Sequence, residues 1–442
     1  MSAESSRFSV KRVYDRLLAA LSSPLAKRIY VVLLVVLVIF LWANMVRRAL
    51  KHSGSQYDDF VQFSRDLVYG RVNVYEEYAR DNTITKYPPF FGLLFAPLVP
   101  LPPAIGASFF FLLNLSLSIG ATWLSVETIR EKLDGAALGK AFYILPFVLT
   151  AGIIGSNLET AQVNIIIVFC LILTLYTFRR GADLTAGIVL AFITALKLTP
   201  GLFIAYFVYK RAWKVVAGAV AGLIFFWFVV SPAVFGLDNY LEIVRSWYGI
   251  LNPFVTQGTI AEGVQGFRDT NQSMSAVLHR FFTHTPAGGG RPDFYINVLA
   301  LGYVTMDRIV KVLILGVVAF LIWICRSPID DRSRIELSLE YSLVMIAMLF
   351  ISPISWINHY VVLLFPYAAA VYYVRTRPPK ERGRQLLLYG TVASFVLVSS
   401  SASRLMQAFS IPWIGALVLA IALAVVLRGQ REQPAPTLAA AD

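Results

Sequence analysis

The sequence predicts an all-α polytopic membrane protein. Apolar residues make up 57% of its 442 positions, and only 15% are charged. A soluble globular domain carries about 25% charged residues. Apolar runs close to membrane-spanning length recur along the chain. A chain of this length would otherwise be expected to form two or three soluble domains, but these runs override that expectation.

Eleven apolar runs are candidates for membrane-spanning helices. Several are shorter than the ~20 residues that a helix perpendicular to the membrane needs, and we expect about 11–13 helices. The run 184–209 contains "KLTPG" and is expected to cross as two short helices broken there, since irregular backbone is tolerated where protein or a wet cavity surrounds it. The runs are 30–48, 104–126, 141–155, 163–178, 184–209, 213–235, 303–325, 336–352, 357–374, 386–402 and 410–427.

The placement of lysine and arginine explains the net charge of +13. These residues concentrate in short loops that alternation puts on one side of the membrane, whereas the opposite loops "GSNLETAQ" and "SPISWIN" contain neither. This positive-inside asymmetry predicts that the basic loops and both termini are cytoplasmic, provided that residues 87–101 do not cross completely. The basic loops are "REKLDGAALGK", "RRGAD", "KRAWK", "CRSPIDDRSR", "RTRPPKERGR" and "RGQREQ".

The predicted organisation is a cytoplasmic N-terminal segment (1–29), a membrane domain (30–428) and a cytoplasmic tail (429–442), whose Pro/Ala-rich end indicates disorder. Because the basic residues follow the topology instead of one face of a soluble domain, we expect no nucleic-acid partner. Cys170 and Cys325 lie in apolar segments, so neither a disulfide framework nor a metal cluster is expected.

Two long outer loops, about 49–103 and 237–300, lie opposite the basic loops. Loops of this length are usually functional or disordered. Near its start the first loop has Asp58 and Asp59 in a helical pattern of apolar residues, which indicates a helix along the membrane surface. Two interpretations of the carboxylates stay open. They cap a helix and interact with its dipole, or one is a general base that takes a proton from an attacking alcohol.

Other polar residues lie on the same side. Lys197 interrupts an apolar run, where a charge is costly unless it is paired or faces water; snorkelling to the interface is the other explanation. Three more groups are explained either by capping and packing or by a polar pocket, in which His359, Lys197 and Arg280 can bind a phosphate or pyrophosphate headgroup. They are Glu159, Gln162 and Asn164; Asn271, Gln272, Ser273 and Arg280; and Ser355, Trp356, Asn358 and His359.

In their order along the chain, these motifs resemble the polyprenyl-phosphate-dependent glycosyltransferases of the GT-C superfamily, specifically glycosyltransferase family 87, the mannosyltransferase-like DUF2029 group. The resemblance covers roughly residues 30–375 and lies in the ordered set of Asp-Phe, "NVY", "YPP", "QVN", "ALKLTPGL", "NQS" and "SPISWINHY". It implies a GT-C-type transmembrane helix bundle with extracytoplasmic loop helices, in the inner (plasma) membrane, with its active site on the extracytoplasmic face.

The resemblance also implies an activity. A mannose-like sugar would pass from a lipid-linked polyprenyl-phosphate donor to a hydroxyl of a glycolipid or glycan acceptor, with inversion. No cofactor is expected, since the chain has no Gly-rich nucleotide-binding turn after a strand. No divalent metal is expected either, since the first loop has no Asp-x-Asp pair with metal-site character.

The resemblance assigns roles to individual residues. Asp59 is the expected general base, and Asp58 is its close rival. Lys197 and His359 match a lysine and a histidine of the family and would bind the donor phosphate together with Arg280. Many relatives have two histidines where this chain has Asn358-His359. The other expected substrate-binding residues are Tyr87, Glu159, Gln162, Asn164, Asn271, Gln272, Ser273, Ser355, Trp356 and Asn358.

A secondary transporter or lipid flippase with a polar site at the membrane midplane is the alternative. Broken helices that carry a charged residue at depth are also found in carriers. The two long outer loops favour a catalytic vestibule over a carrier.

Overall fold

The computed structural model describes residues 24–51, 55–77, 86–131, 138–251, 266–291 and 293–431. Across these ranges the regular elements are helices, and an isolated antiparallel bridge joins Asn271 and Trp356. The predicted all-α class is confirmed. The α-helices are α1 (Pro24–Leu50), α2 (Gln56–Ser64), α3 (Val74–Glu77), α4 (Phe91–Phe95), α5 (Pro103–Ile129), α6 (Ala141–Glu159), α7 (Asn164–Arg179), α8 (Asp183–Leu196), α9 (Leu202–Tyr209), α10 (Trp213–Ile224), α11 (Ser231–Phe235), α12 (Leu237–Leu251), α13 (Met274–Phe282), α14 (Tyr303–Ile324), α15 (Arg334–Ile351), α16 (Leu364–Thr376), α17 (Arg382–Ser399), α18 (Arg404–Ala408) and α19 (Ile411–Arg431).

Helices cover most of each of the eleven predicted apolar runs. In the described part of the chain, seven helical segments are long and apolar enough to cross a membrane, and α7, α8 and the stretch 199–209 are apolar but shorter. A backbone in hydrocarbon must satisfy its hydrogen bonds within itself, which explains why apolar runs become helices. The chain is therefore a multi-pass membrane protein.

Two predicted boundaries change. Residues 24–29 of the predicted N-terminal segment already belong to α1, whereas residues 1–23 lie outside the described residues. α19 continues to Arg431, so the predicted disordered tail is wrong for residues 429–431. The remainder of that tail, 432–442, lies outside the described residues.

The core of the bundle surrounds α15 and α16. Almost every side chain of α15 from Ile335 to Phe350 is buried, and so is α16 from Leu364 to Tyr373. A helix that is apolar on all sides belongs at the centre of a bundle. α5, α6 and α17 pack around α16.

A break at Lys197 separates α8 from the following helix, as predicted. Lys197 has an extended backbone, and Pro200 lies in a 3-10 turn over Thr199–Gly201 that leads into α9. Proline has no backbone N–H, and within a helix its ring would clash with the carbonyl four residues earlier, that of Leu196, which explains why α8 does not continue.

The order of contacts shows that α8 and α10 run parallel. Leu184 meets Gly218, and Ala191 meets Gly222 further along both helices. The stretch 199–212 must therefore return the chain to the end at which α8 began. The segment 183–209 is thus a helical hairpin with Lys197 at its tip, in agreement with the predicted broken pair.

Glycine permits the close approach of α8 and α10. We expect Gly187→Ala to destabilise the protein by about 1–3 kcal/mol, because overpacking a tight contact forces the backbone apart. A methyl group at Gly187 would collide with the backbone carbonyl of Val215. Gly152→Ala is the matched control, since a Cβ there meets nothing within 4 Å. Thermal unfolding in detergent measures the difference, and equal midpoints for the two variants would contradict this packing.

The loops sort into two ends of the bundle. Asp183, Lys210 and Arg326 line one cavity, and we call that end the basic end. At the opposite end, the polar end, the backbone N–H of Gln56 donates to the carbonyl oxygen of Thr160 over 3.1 Å. This grouping agrees with the alternation predicted from lysine and arginine.

The helix predicted along the membrane surface instead packs on the core. Tyr57, Phe60 and Phe63 of α2 are buried. The ring centroid of Phe60 lies 5.0 Å from that of Phe91 and 5.7 Å from that of Tyr87. The aromatic face of α2 therefore covers protein instead of lipid headgroups, and the prediction is corrected.

Candidate active site

A buried lysine–histidine pair lies at the polar end. Nζ of Lys197 is 3.0 Å from Nε2 of His359 and 3.1 Å from Oδ1 of Asn164. An ammonium group has only donors, so a charged Lys197 donates to Nε2 and leaves the ring proton of a neutral His359 on Nδ1. The contact joins residues 162 positions apart. The tip of the α8–α9 hairpin thus meets the 3-10 segment Ile357–Leu363.

Hydrogen-bonded amide side chains connect this pair to the end of α6. Nδ2 of Asn164 donates to Oδ1 of Asn157, which in turn donates through Nδ2 to the carbonyl of Asn358. The side chain of Asn358 accepts from Ser156 Oγ at 2.7 Å and donates to Thr160 Oγ1 at 3.2 Å. Asn358, predicted as a substrate ligand, therefore ties the segment before His359 to the end of α6.

The "NQS" motif fixes the other side of the same segment. Oδ1 of Asn271 accepts from the backbone N–H groups of Ser273 and Ser355, and Nδ2 donates to the carbonyl of Pro353. The N–H of Gln272 donates to the carbonyl of Ser355 over 2.7 Å. All three residues of the motif are fully buried, so the motif ties the second outer loop to the segment before His359.

Two adjoining cavities surround the lysine–histidine pair, with volumes of about 320 and 40 Å³. We call the larger one the Lys197 cavity. Both cavities are lined by Lys197, Thr199, Ser352 and His359. The Lys197 cavity is further lined by Lys86, Tyr87, Leu198, Pro353, Ile354 and Trp356, and the smaller one by Asn164, Ile167, Val168, Leu171, Met348, Leu349, Ser355 and Val362.

The charges in the Lys197 cavity suit an anion. Lys86 and Lys197 line it together with His359, and among its described lining residues there is no carboxylate. The ring of Tyr87 lies 5.9 Å from Nζ of Lys197, close enough for a cation–π contact. Partial burial lowers the pKa of Lys86. An anionic group bound there would compensate these positive charges electrostatically.

Lys86 is the member that sequence reasoning missed. It directly precedes the Tyr87-Pro88-Pro89 sequence that closes the first loop, and this position could have identified it as a site residue. A lysine in a polar loop is ordinarily a solvated charge. Its position against Lys197 depends on how the loop returns to the bundle.

Arg280 lies elsewhere. Its side chain is fully buried, and NH1 donates to the carbonyls of Phe267, Arg268 and Asn271 at 2.7–3.0 Å. NH2 donates to Ser410 Oγ at 2.8 Å. Arg280 therefore ties the second outer loop to the start of α19, and we do not retain it as a phosphate ligand.

Two further predicted residues have structural contacts. Glu159 forms an ion pair with Arg48 over 2.7 Å, which joins α6 to α1. Gln162 is buried beside Asn164, whose Nδ2 lies 3.4 Å from Gln162 Oε1. The cavities thus bring together Tyr87, Asn164, Lys197, Ser355, Trp356 and His359, whereas Glu159, Gln162, Asn271, Gln272, Ser273, Arg280 and Asn358 lie around or away from them.

The carboxylate pair lies in the first turn of α2, next to the wall of the site. Ser55 caps this helix, so neither aspartate is its N-cap, whereas their position in the first turn agrees with the predicted interaction with the helix dipole. Gln56 reaches both ways: its backbone N–H donates to the carbonyl of Thr160, and Nε2 donates to Oδ2 of Asp59 at 3.1 Å. Asp59 is exposed, and Asp58 is half-buried. Among the described residues that line the two cavities, neither aspartate occurs.

The surroundings of Asp59 alter its acidity. Although its side chain reaches solvent, the protein packed around it displaces enough water to raise the pKa of the carboxyl group above the ordinary 3.8. A raised pKa makes the carboxylate a stronger proton acceptor than a fully solvated aspartate. The direction of the shift therefore agrees with the general-base interpretation.

Comparisons with known proteins point to the same family as the motifs. Residues 85–353 match the model of glycosyltransferase family 87. A polyprenol-phosphate-mannose-dependent alpha-(1-2)-phosphatidylinositol mannoside mannosyltransferase of Mycolicibacterium smegmatis (strain ATCC 700084 / mc(2)155) is 27% identical over 293 residues, which are 63% of this chain. The match spans 59% of that relative's length. No solved structure gives a significant match. The match over residues 85–353 shows that the chain belongs to glycosyltransferase family 87.

Proposed function

We propose that this membrane glycosyltransferase moves a mannose-like sugar from a polyprenyl-phosphate donor to an acceptor hydroxyl. The observation that carries the proposal is the Lys197 cavity, in which Lys86, Lys197 and His359 converge without a carboxylate among its described lining residues. The donor named for the mycobacterial relative is polyprenol-phosphate mannose. Its phosphodiester is the anion that such a cavity suits.

The donor phosphate would lie against Lys197 and Lys86. When the anomeric C–O bond breaks, its electron pair stays on the phosphate oxygen, and the departing polyprenyl phosphate gains negative charge. Preorganised donors aimed at charge that develops in the transition state are often worth several kcal/mol. Asn164 orients Lys197 through the 3.1 Å contact with Nζ, so the ammonium group needs little reorganisation.

The acceptor would enter between the first turn of α2 and the cavity. Its oxygen attacks the anomeric carbon on the face opposite the phosphate, so the configuration inverts. Asp59 takes the hydroxyl proton and becomes a neutral carboxylic acid. The contact from Gln56 Nε2 to Asp59 Oδ2 and the backbone contact of Gln56 with Thr160 hold the base beside the site. A divalent metal has no part in this proposal.

The orientation of the protein follows from its charges. The basic end carries the loops that the positive-inside rule places in the cytoplasm. The Lys197 cavity lies at the polar end, so we place it at the extracytoplasmic face of the inner membrane. Both substrates would be membrane-bound or membrane-adjacent there, which suits a glycolipid or glycan acceptor.

Reconstitution in liposomes tests the proposal directly. Purified protein is supplied with radiolabelled polyprenyl-phosphate mannose and a phosphatidylinositol mannoside acceptor, in parallel with a nucleotide-linked mannose. We expect a new glycolipid and free polyprenyl phosphate in equal amounts from the lipid-linked donor only. Movement of labelled donor between leaflets without a new glycosidic bond would support a flippase and contradict the proposal.

Lys86 should contribute to donor binding. Replacing it by alanine is expected to lower kcat/KM for the donor by about 10- to 100-fold, because a hydrogen bond to a charged group is worth about 1.5–3 kcal/mol. Lys86→Arg should restore most of this loss, since it keeps the positive charge. Lys51→Ala, which removes an exposed lysine in the same outer loop, is the control. Equal donor kinetics for Lys86→Ala and the control would contradict the assignment.

A further inference from the structure

An apolar groove runs along the side of the bundle, and none of its lining residues lines the Lys197 cavity. α15 packs against both α14 and α19 and forms the floor of the groove between them. Its volume is about 400 Å³, which is within the range of small-ligand sites. The lining residues are Val317, Phe320, Leu321, Trp323, Ile324, Leu343, Ile346, Ala347, Phe350, Leu417, Ala420, Ile421, Ala424, Val425 and Arg428.

Small side chains create the groove and leave it open to the membrane. Ala347 lies on its floor, and Ala420 and Ala424 lie on its α19 wall. Ile421 and Val425, with 54% and 51% exposure, stand at its rim. Exposed aliphatic side chains on a membrane-spanning helix face lipid, so the natural occupant of this groove is a hydrocarbon chain.

At the basic end of the bundle, the groove opens next to positively charged side chains. Trp323 lies at this end, and two guanidinium groups approach its ring: Arg326 at 5.6 Å and Arg428 at 5.8 Å from the centroid. Arg326 also lines a neighbouring cavity of about 920 Å³ whose described lining has four basic residues, Lys210, Arg211, Lys214 and Arg326, against Asp183 and Asp330. The open end of the apolar groove thus adjoins an excess of positive charge.

The length of the groove corresponds to one leaflet. From Leu417 to Arg428 its α19 wall extends about 16 Å, and from Val317 to Ile324 its α14 wall extends about 10 Å, at 1.5 Å per residue. Half of a bilayer's hydrocarbon core is about 15 Å. A single acyl chain that starts at the arginines would therefore lie in the groove without crossing the midplane.

We propose that this groove is a binding site for an anionic phospholipid of the leaflet at the basic end. One acyl chain occupies the groove, and the headgroup phosphate lies between Arg326 and Arg428. Clustered basic residues at membrane-facing pockets favour anionic headgroups, and guanidinium groups match phosphate oxygens in geometry. This site is separate from the proposed donor site, which lies at the polar end.

Native mass spectrometry of the full-length protein tests the proposal. Protein released from nanodiscs is titrated with phosphatidylglycerol or with phosphatidylcholine of the same acyl chains. We expect about tenfold tighter retention of phosphatidylglycerol, as two nearby arginines favour an anionic headgroup. Arg326→Gln with Arg428→Gln should remove the preference, whereas Lys380→Gln with Arg382→Gln, which removes two exposed cations from the same end, should keep it.

A second variant tests the contribution of the acyl chain separately from that of the headgroup. Ala420→Phe fills the groove and is expected to weaken retention of both lipids while thermal unfolding stays normal. Glycerol phosphate, which lacks acyl chains, should not compete. Equal retention of the two lipids by the wild type, an equal loss of preference in the control pair, or a dimer that covers α14 and α19 in place of lipid would each overturn the proposal.

Discussion

Asp59→Asn is expected to reduce glycosyl transfer by about 100- to 10,000-fold, because general acid–base catalysis contributes that much to a rate. Asparagine has nearly the same shape but cannot accept the acceptor's proton. The contact of Oδ2 with Gln56 Nε2 shows that the position tolerates a polar, hydrogen-bonded group. Turnover of polyprenyl-phosphate mannose by the reconstituted variant measures the loss.

Two neighbouring carboxylates serve as controls for Asp59. Asp58→Asn should retain most activity, and so should Asp66→Asn, whose carboxylate accepts from Gln62 at 2.8 Å. If Asp58→Asn shows the large loss and Asp59→Asn does not, the base is Asp58 and our assignment is wrong. Unchanged thermal midpoints in all three variants would show that their differences in activity do not come from differences in stability.

The pH dependence follows from the same group. The pKa of Asp59 is raised above its ordinary 3.8 by the protein around it, and the base acts only when ionised. The value of kcat/KM should therefore fall as the pH decreases through this raised pKa, earlier than for a solvated aspartate. A profile without an acid limb above pH 3.8 would argue against Asp59 as the proton acceptor.

Loss of the lysine–histidine pair should have the second large effect. Lys197→Met and His359→Gln are each expected to lower kcat by about 100- to 1,000-fold, the usual cost of removing one group that stabilises developing negative charge. The double variant should lose much less than the product of the two effects. Residues in contact are not independent, and these two lie 3.0 Å apart.

A matched lysine shows whether the effect is local. Lys140→Met removes an exposed lysine just before α6 and should leave turnover unchanged. The thermal midpoint of Lys197→Met should stay near that of the wild type, since the loss of two hydrogen bonds is offset by removal of a desolvated charge. Fully multiplicative losses in the double variant would show that the two residues act separately, contrary to the proposed shared phosphate site.

Much of the fold was predictable because a bilayer limits the conformations that a backbone can adopt. Long apolar runs in a bilayer form helices, and the lysine and arginine of the short loops concentrate on one side, so the helices and the two ends followed from local composition. The cost of a charge at membrane depth also identified Lys197, and Pro200 explained the break beside it. These are properties of short segments and need no knowledge of their neighbours.

The hydrogen-bond partners of each polar side chain depended on the tertiary structure. Arg280 looked like an anion ligand in sequence, but three backbone carbonyls and Ser410 surround its guanidinium group. Lys86 looked like a solvated loop residue, but the return of the first loop places it in the same cavity as Lys197. The sequence by itself determined the membrane helices, their two-sided charge and the buried lysine. Only the folded chain decided which cations share a cavity, because hydrogen-bond partners far apart in sequence meet through packing that no local pattern encodes.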